Sequence, residues 1–343
     1  MRVPDSMRRR PPGRSFANNF VFQLAIPAAD GQYLRLVHVL GETMKSRSLA
    51  LAASLSIATL VLSACGSDSL GTSSAPTAGA PVPSVAADPA LVAKLPANIA
   101  SAKKIVVGTD ASYAPNEFLD TDGKTVIGAD VDMFNAVAAK FGVTAEWQPS
   151  SFDTIITGVQ GKKYDAGVSS FTINAKRMEQ VTMVSYFNAG TQWATAEGNP
   201  KGVDPENACG KTIAVQTGTV QDEDDLPARQ AKCGDNKINV LQFDGQDQAT
   251  AAVVSGRADA MLADSPIVAY AVKQSDGKLA TLGDIYDAAP YGFVIPKDQA
   301  EFGQAITEAL TQLKADGTYD KILEKWGTER GGIDTFEVNP SAG

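Results

Sequence analysis

GRADAMLADSPIVAYAVKQ, residues 256–274, carries a strand straight into a helix. Ala258–Ala263 is a short apolar run of strand length, and Pro266–Gln274 has the pattern of a helix. Asp264 is left at the junction. A carboxylate at the C-terminal end of a strand in an open α/β sheet faces the ligand crevice. The competing role for Asp264 or Ser265 is a helix N-cap ahead of Pro266. Working outward, the same alternation repeats. Lys211–Gln216 and Ile238–Phe243 read as strands, and Thr219–Cys233 and Gln246–Ser255 as helices. Further upstream, Lys104–Thr109, Thr144–Gln148 and Tyr164–Ser169 are strands, with helices at Asp130–Phe141 and Phe152–Gln160. Tyr291–Pro296 is a strand, followed by helices at Gln299–Ala315 and Thr318–Lys325. Strands alternating with helices predict an α/β fold with mostly parallel sheets. The body runs from near Ile99 to about Phe336, enough for two modest lobes.

The charge is unevenly spread. Residues 1–64 hold 8 Lys/Arg and 3 Asp/Glu, whereas residues 65–343 hold 22 and 36. An acidic body excludes a phosphate-backbone partner, so no nucleic acid is expected.

The N-terminus reads as targeting sequence. Met44-Lys45-Ser46-Arg47 is a basic start, and Leu49–Leu62 is an apolar run too short for a membrane span. Leu62-Ser63-Ala64-Cys65 resembles a bacterial lipobox. That resemblance implies that Cys65 is lipidated and becomes the mature N-terminus, with residues 44–64 as lipoprotein signal peptide. A plain signal peptide with an incidental cysteine is the alternative. Residues 1–43 are Arg- and Pro-rich and precede a complete signal, so translation is expected to start at Met44. Residues 65–99, rich in Gly, Ser, Ala and Pro, read as a flexible tether.

With Cys65 lipidated, Cys209 and Cys233 remain as an even pair in an oxidising compartment. A bond between them would close a loop of about 25 residues and stabilise by roughly 3 kcal/mol. Two free buried thiols are the other reading. The only histidine, His38, precedes the expected mature chain. Ser-His, Cys-His and His-metal chemistry are therefore not expected, nor is any cofactor or metal.

Six motifs occur in one order: GTDASYAPNEF (108–118), GADVDMF (128–134), YDAGVSSFTINAKR (164–177), KTIAVQTGTVQD (211–222), GRADAMLADS (256–265) and YGFVIPK (291–297). Together they resemble the family 3 bacterial extracellular solute-binding proteins, across essentially all of residues 100–330. The resemblance implies a two-lobed, type II periplasmic-binding-protein-like fold with two hinge crossings. Lobe one would be 100–195 plus 292–332 and lobe two 196–291, crossing near Ala194–Asn199 and Ala289–Phe293. Closure around a ligand is a hinge motion.

The resemblance also implies a site for a free amino acid. Each of the ligand's charges needs a partner when withdrawn from water. Arg177 matches the arginine whose planar fork binds the ligand carboxylate, with Lys176 facing solvent. Gly218, Thr219, Val220 and Gln221, following Gln216, would offer free N–H groups and the positive end of a helix. Asp264 would take the ammonium, helped by Ser170 and Thr172. Tyr113 and Phe152 match the pair that sandwiches the ligand's stem. Asp110 and Ser169 would meet its side-chain end. A carboxylate at Asp110 favours Gln or a basic amino acid, and Asn116 departs from the apolar residue common in relatives.

The implied function is capture of a polar L-amino acid outside the membrane for an ABC importer. The implied partners are a permease with its ATPase, and the protein is expected as a lipid-anchored monomer on the extracytoplasmic face. It is not expected to be an enzyme. The alternative is a cleft enzyme on the same fold, such as a cyclohexadienyl-type dehydratase.

Overall fold

The computed structural model describes residues 84–341, so the leader, His38 and the lipidation site expected at Cys65 lie outside the described residues. Chain order begins with α1 (Pro89–Val92), α2 (Ala97–Ala102), β1 (Lys104–Thr109), β2 (Ser112–Tyr113), β3 (Glu117–Leu119), β4 (Val126–Ile127), α3 (Ala129–Lys140), β5 (Thr144–Pro149) and α4 (Phe152–Gln160). Then come β6 (Ala166–Gly167), α5 (Ala175–Gln180), β7 (Thr182–Ala196), β8 (Thr212–Gln216), α6 (Leu226–Gln230), β9 (Asn239–Phe243), α7 (Gln246–Val254), β10 (Ala260–Asp264) and α8 (Ser265–Gln274). β11 (Leu279–Ile295), α9 (Ala300–Ala315) and α10 (Thr318–Trp326) complete the body.

One sheet of eight strands runs through the molecule in the order β5-β1-β6-β11-β7-β10-β8-β9. β1 pairs in parallel with β5 and β6, and β8 pairs in parallel with β9 and β10. Between these parallel halves lie β7 and β11, antiparallel to one another and long enough to belong to both. This is the two-lobed type II arrangement, with two crossing strands.

Each lobe has its own core. Lobe one buries Val107, Phe134, Phe141, Phe293, Leu310 and Tyr319, with Ile155, Phe171 and Val294 on the other sheet face. Lobe two buries Trp193, Val215 and Leu262 on one face and Met261, Val268 and Leu279 on the other. Along β7 the core changes between Ala189 and Trp193, earlier than the crossing expected at Ala194–Asn199. Along β11 it changes between Tyr286 and Tyr291, where the register with β7 shifts twice over Leu282–Ala289.

The ordered body begins before the expected end of the tether at residue 99. Asp88 caps α1 through Ala90 N–H at 2.8 Å, and Leu91 and Ile99 are buried in the lobe-one core. Burial of two apolar side chains holds a segment whose composition alone reads as linker. At the other end, residues 336–339 lie along β7 where no strand covers it. Ser185 N–H donates to Glu337 O (2.9 Å), and Met183 and Asn339 exchange bonds of 2.8 and 2.7 Å. Cys209 and Cys233 are joined by a disulfide, with Cα atoms 5.3 Å apart.

One glycine decides the packing behind the cleft. Gly128 has φ +144°, and a Cβ there would lie 2.0 Å from the Asn116 carbonyl oxygen. Its absence lets α3 start directly against the chain before β3, with Ala129 and Asp130 N–H groups donating to Pro115 and Asn116 carbonyls at 3.0 Å.

Candidate ligand-binding site

A narrow cavity lies between the lobes at the C-terminal ends of the parallel strands. Of the twelve expected binding residues, eleven line it, and Asp110 does not.

Arg177 enters from α5, whose N-cap Asn174 accepts the Arg177 backbone N–H at 2.8 Å. Its guanidinium donates to the Thr172 carbonyl (2.8 Å) and across the cleft to the Gly218 carbonyl (3.0 Å). The rings of Phe152 and Phe171, stacked on each other at 4.6 Å, lie 5.4 and 5.6 Å from it. The side chain is 7% exposed, and no carboxylate of the described residues comes within 4.0 Å of it. Burial lowers its pKa, yet an arginine stays charged. Lys176 next door behaves oppositely: it is solvent-exposed and pairs with Glu223 at 2.5 Å.

Opposite stands the turn after β8. Gly218 adopts φ +79°, and a Cβ there would press on Asp153 at 2.9 Å. The Gly218 N–H was expected to be free, but it donates to Asp222 Oδ2 at 3.0 Å, because that carboxylate folds back over the turn. Thr219 closes the turn by donating its hydroxyl to the Gln216 carbonyl at 2.8 Å. The N–H groups of Thr219 and Val220, ahead of the first helical turn, have no acceptor among the described residues. Gln216 is itself held by its side-chain N–H on the Asp244 carbonyl at 3.0 Å.

Asp264 ends β10 and makes no side-chain cap bond to α8, so the N-cap role is not taken. One carboxylate oxygen accepts the hydroxyls of Tyr113 (2.9 Å) and Tyr291 (2.7 Å), and the other accepts Gln221 Nε2 (2.8 Å). Gln221 also donates to Thr191 on β7 at 2.9 Å. Burial raises the Asp264 pKa, opposed by these hydrogen bonds and by the Arg177 charge. Tyr291 was not anticipated as a support of this residue; it sits in a quoted motif, but its partner lies 27 residues away on another strand.

Asp110 is a correction. Its carboxylate is consumed locally, by the Ser112 hydroxyl (2.5 Å), the Ser112 N–H (3.1 Å) and the Phe152 N–H (3.0 Å). It pins the loop after β1 to the start of α4 and does not reach the cavity.

Two other carboxylates bond to the serines of the wall. Glu117 on β3 accepts the Ser169 hydroxyl at 3.2 Å and has a carboxylate oxygen 3.2 Å from the Ser170 hydroxyl oxygen. Asp130 on α3 accepts the Ser170 N–H (3.1 Å) and hydroxyl (3.2 Å) and the Tyr186 hydroxyl. Burial, then the neighbouring Asp130 charge, hold the Glu117 pKa well above the carboxylate range; burial raises that of Asp130 to about 6. Ser170 holds φ +51°, unusual for a residue with a side chain, and these bonds fix it there. Asn116 completes the cluster by donating to the Ser170 hydroxyl at 2.9 Å. The signal was present in YAPNEF and GADVDMF, as acids set among apolar residues of the two motifs, but their proximity depends on Gly128.

Residues 105–329 match the model of the bacterial extracellular solute-binding proteins, family 3. The arginine-binding protein ArgT of Corynebacterium glutamicum is 37% identical over 254 residues, covering 73% of this chain and 83% of ArgT. The lysine/arginine/ornithine-binding periplasmic protein of Escherichia coli is 31% identical, covering 64% of this chain and 86% of that protein. Among solved structures, an ancestral arginine-binding protein bound to glutamine superposes with a TM-score of 0.61 at 34% identity, covering 66% of this chain and 99% of that one. The chain belongs to the family 3 bacterial extracellular solute-binding proteins, and it is a binding protein rather than an enzyme.

Proposed function

We infer that the chain captures a polar L-amino acid, with arginine the first choice and glutamine or another basic amino acid next, and delivers it to an ABC importer. The observation that carries this is Arg177: a buried cation facing the pocket, its charge balanced by no carboxylate within 4.0 Å among the described residues. A ligand carboxylate supplies that balance through parallel N–H bonds, reinforced by the free N–H groups of Thr219 and Val220. Asp264 receives the ammonium, and the Tyr113 and Phe152 rings flank the stem. The preference for a basic ligand is supported by the arginine- and lysine-binding relatives and by the buried acids behind Ser169 and Ser170.

In this reading the lobes close by bending β7 and β11 where the cores change hands. The acidic body works outside the membrane as a monomer, anchored by lipid on Cys65, and docks on a permease driven by an ATPase. A thermal-shift screen of the purified chain against the 20 amino acids tests it. Saturation at 100 times the dissociation constant adds about 2.7 kcal/mol. A rise with arginine is expected; no rise with any amino acid removes the reading.

A further inference from the structure

Behind the wall formed by Ser169 and Ser170, the hydrogen count fixes a proton. Glu117 and Asp130 are buried. The Ser170 hydroxyl oxygen lies 3.2 Å from a carboxylate oxygen of each and also takes the Asn116 amide N–H at 2.9 Å. A hydroxyl has one hydrogen to give. With both acids ionised, one of those contacts would set an anionic oxygen against a lone pair. One carboxyl therefore carries a proton and donates it. Asp130 already receives the Ser170 N–H and the Tyr186 hydroxyl, whereas Glu117 receives only serine hydroxyls, so the proton rests on Glu117.

The titratable groups facing the pair are Asp110 after β1, Tyr113 on β2, Tyr186 on β7 and Tyr319 on α10. None of them is a cation, and no described Lys or Arg forms an ion pair with either acid. The cluster is short of one positive charge, and the wall in front of it lines the ligand cavity.

We propose that the Glu117–Asp130 pair selects for a cationic ligand side chain by proton exchange: a positive charge seated at the Ser169 and Ser170 hydroxyls drives the shared proton to solvent. This rests on the amino-acid-binding reading above. A charge held there is one hydroxyl away from each carboxylate, inside the roughly 4–6 Å over which an opposite charge favours ionisation. The pair goes from one negative charge to two as the ligand brings one positive, and the proton leaves from Glu117 to water. A neutral ligand side chain leaves the proton in place.

Titration calorimetry of the full chain at pH 7, in phosphate and in Tris, tests this with arginine and glutamine. These ligands share the same ammonium and carboxylate. Arginine binding is expected to release up to one proton, seen as different heats in the two buffers, and glutamine none. Arginine affinity should fall toward tenfold per pH unit on acidification below the pair's titration, with glutamine flat. Glu117→Gln keeps the shape of the protonated acid; it should abolish the buffer difference and reduce the arginine-over-glutamine preference at least tenfold. Buffer-independent heats for wild-type arginine binding overturn the proposal without any variant, and so does an unchanged preference in Glu117→Gln. Binding of no amino acid removes the underlying reading, and this inference with it.

Discussion

The guanidinium of Arg177, carried by lobe one, donates to the carbonyl of Gly218 in lobe two at 3.0 Å. A single side chain thus both spans the cleft and faces the pocket within it, whereas Lys176 beside it reaches lobe two only through an exposed ion pair with Glu223. The two neighbours should separate cleanly on substitution. Arg177→Ala is expected to weaken amino acid binding at least about 100-fold, since charge-assisted hydrogen bonds of about 1.5–3 kcal/mol each are lost. Lys176→Ala should change affinity less than about threefold, the scale of an exposed pair. Calorimetry beside a circular dichroism check of folding decides it; near-native affinity in a folded Arg177→Ala protein takes Arg177 out of the site.

Asp264→Asn keeps an acceptor for Tyr113 and Tyr291 but removes the charge. Affinity for arginine is expected to fall about 10- to 100-fold, one charge-assisted bond. The deaminated analogue 5-guanidinopentanoate, lacking the ammonium, should bind wild type and Asp264→Asn almost equally. A large further loss with the analogue would mean that Asp264 acts on the fold and not on the ammonium.

The ligand-free protein should be more stable in mild acid than at neutral pH. Glu117, Asp130 and Asp264 have folded pKa values raised by burial, so above pH about 4 the folded state holds more protons than the unfolded chain. Stability then falls with rising pH through the Asp130 value of about 6, and as Glu117 and Asp264 ionise, by up to about 1.4 kcal/mol per pH unit per proton. Urea melts between pH 5 and pH 8 measure this slope, and Glu117→Gln should flatten it. A stability that climbs across that window contradicts the raised values.

Gly128→Ala forces a side chain onto the Asn116 carbonyl at a backbone angle alanine avoids. A loss of about 2–4 kcal/mol is expected in urea unfolding. The α3 start would be pushed off β3, so arginine preference should weaken along with stability. A variant as stable as wild type would show that the chain before β3 can yield.

The parallel halves were legible because their strands are short, apolar and followed at once by helices; β1 and α4 fall on the expected residues. The crossing strand β7 was not legible. It is buried on both faces almost throughout, so it shows no alternation, and Asn188, Gly190 and Gln192 interrupt its apolar character. Most of β11 was missed for the opposite reason: Gly283, Asp284 and Asp287 lie in a half-exposed stretch whose pairing is broken by bulges. The site was legible through its ordered motifs, and the cavity gathers the residues those motifs supplied. Asp110 misled because sequence shows a carboxylate but not what its oxygens touch. Glu117 and Asp130 stayed hidden because their closeness is a tertiary product of one glycine.

The segment 336–339 lies beyond the last residue matched to the family, 329, yet it occupies backbone donors and acceptors of β7 at Met183 and Ser185. A version of the chain trimmed at the family boundary would leave that strand with a bare, flat, apolar margin, the kind of template on which another copy adds itself. Trimming for crystallisation or biosensor use should therefore stop after Asn339, or trade a tidy terminus for a sticky one.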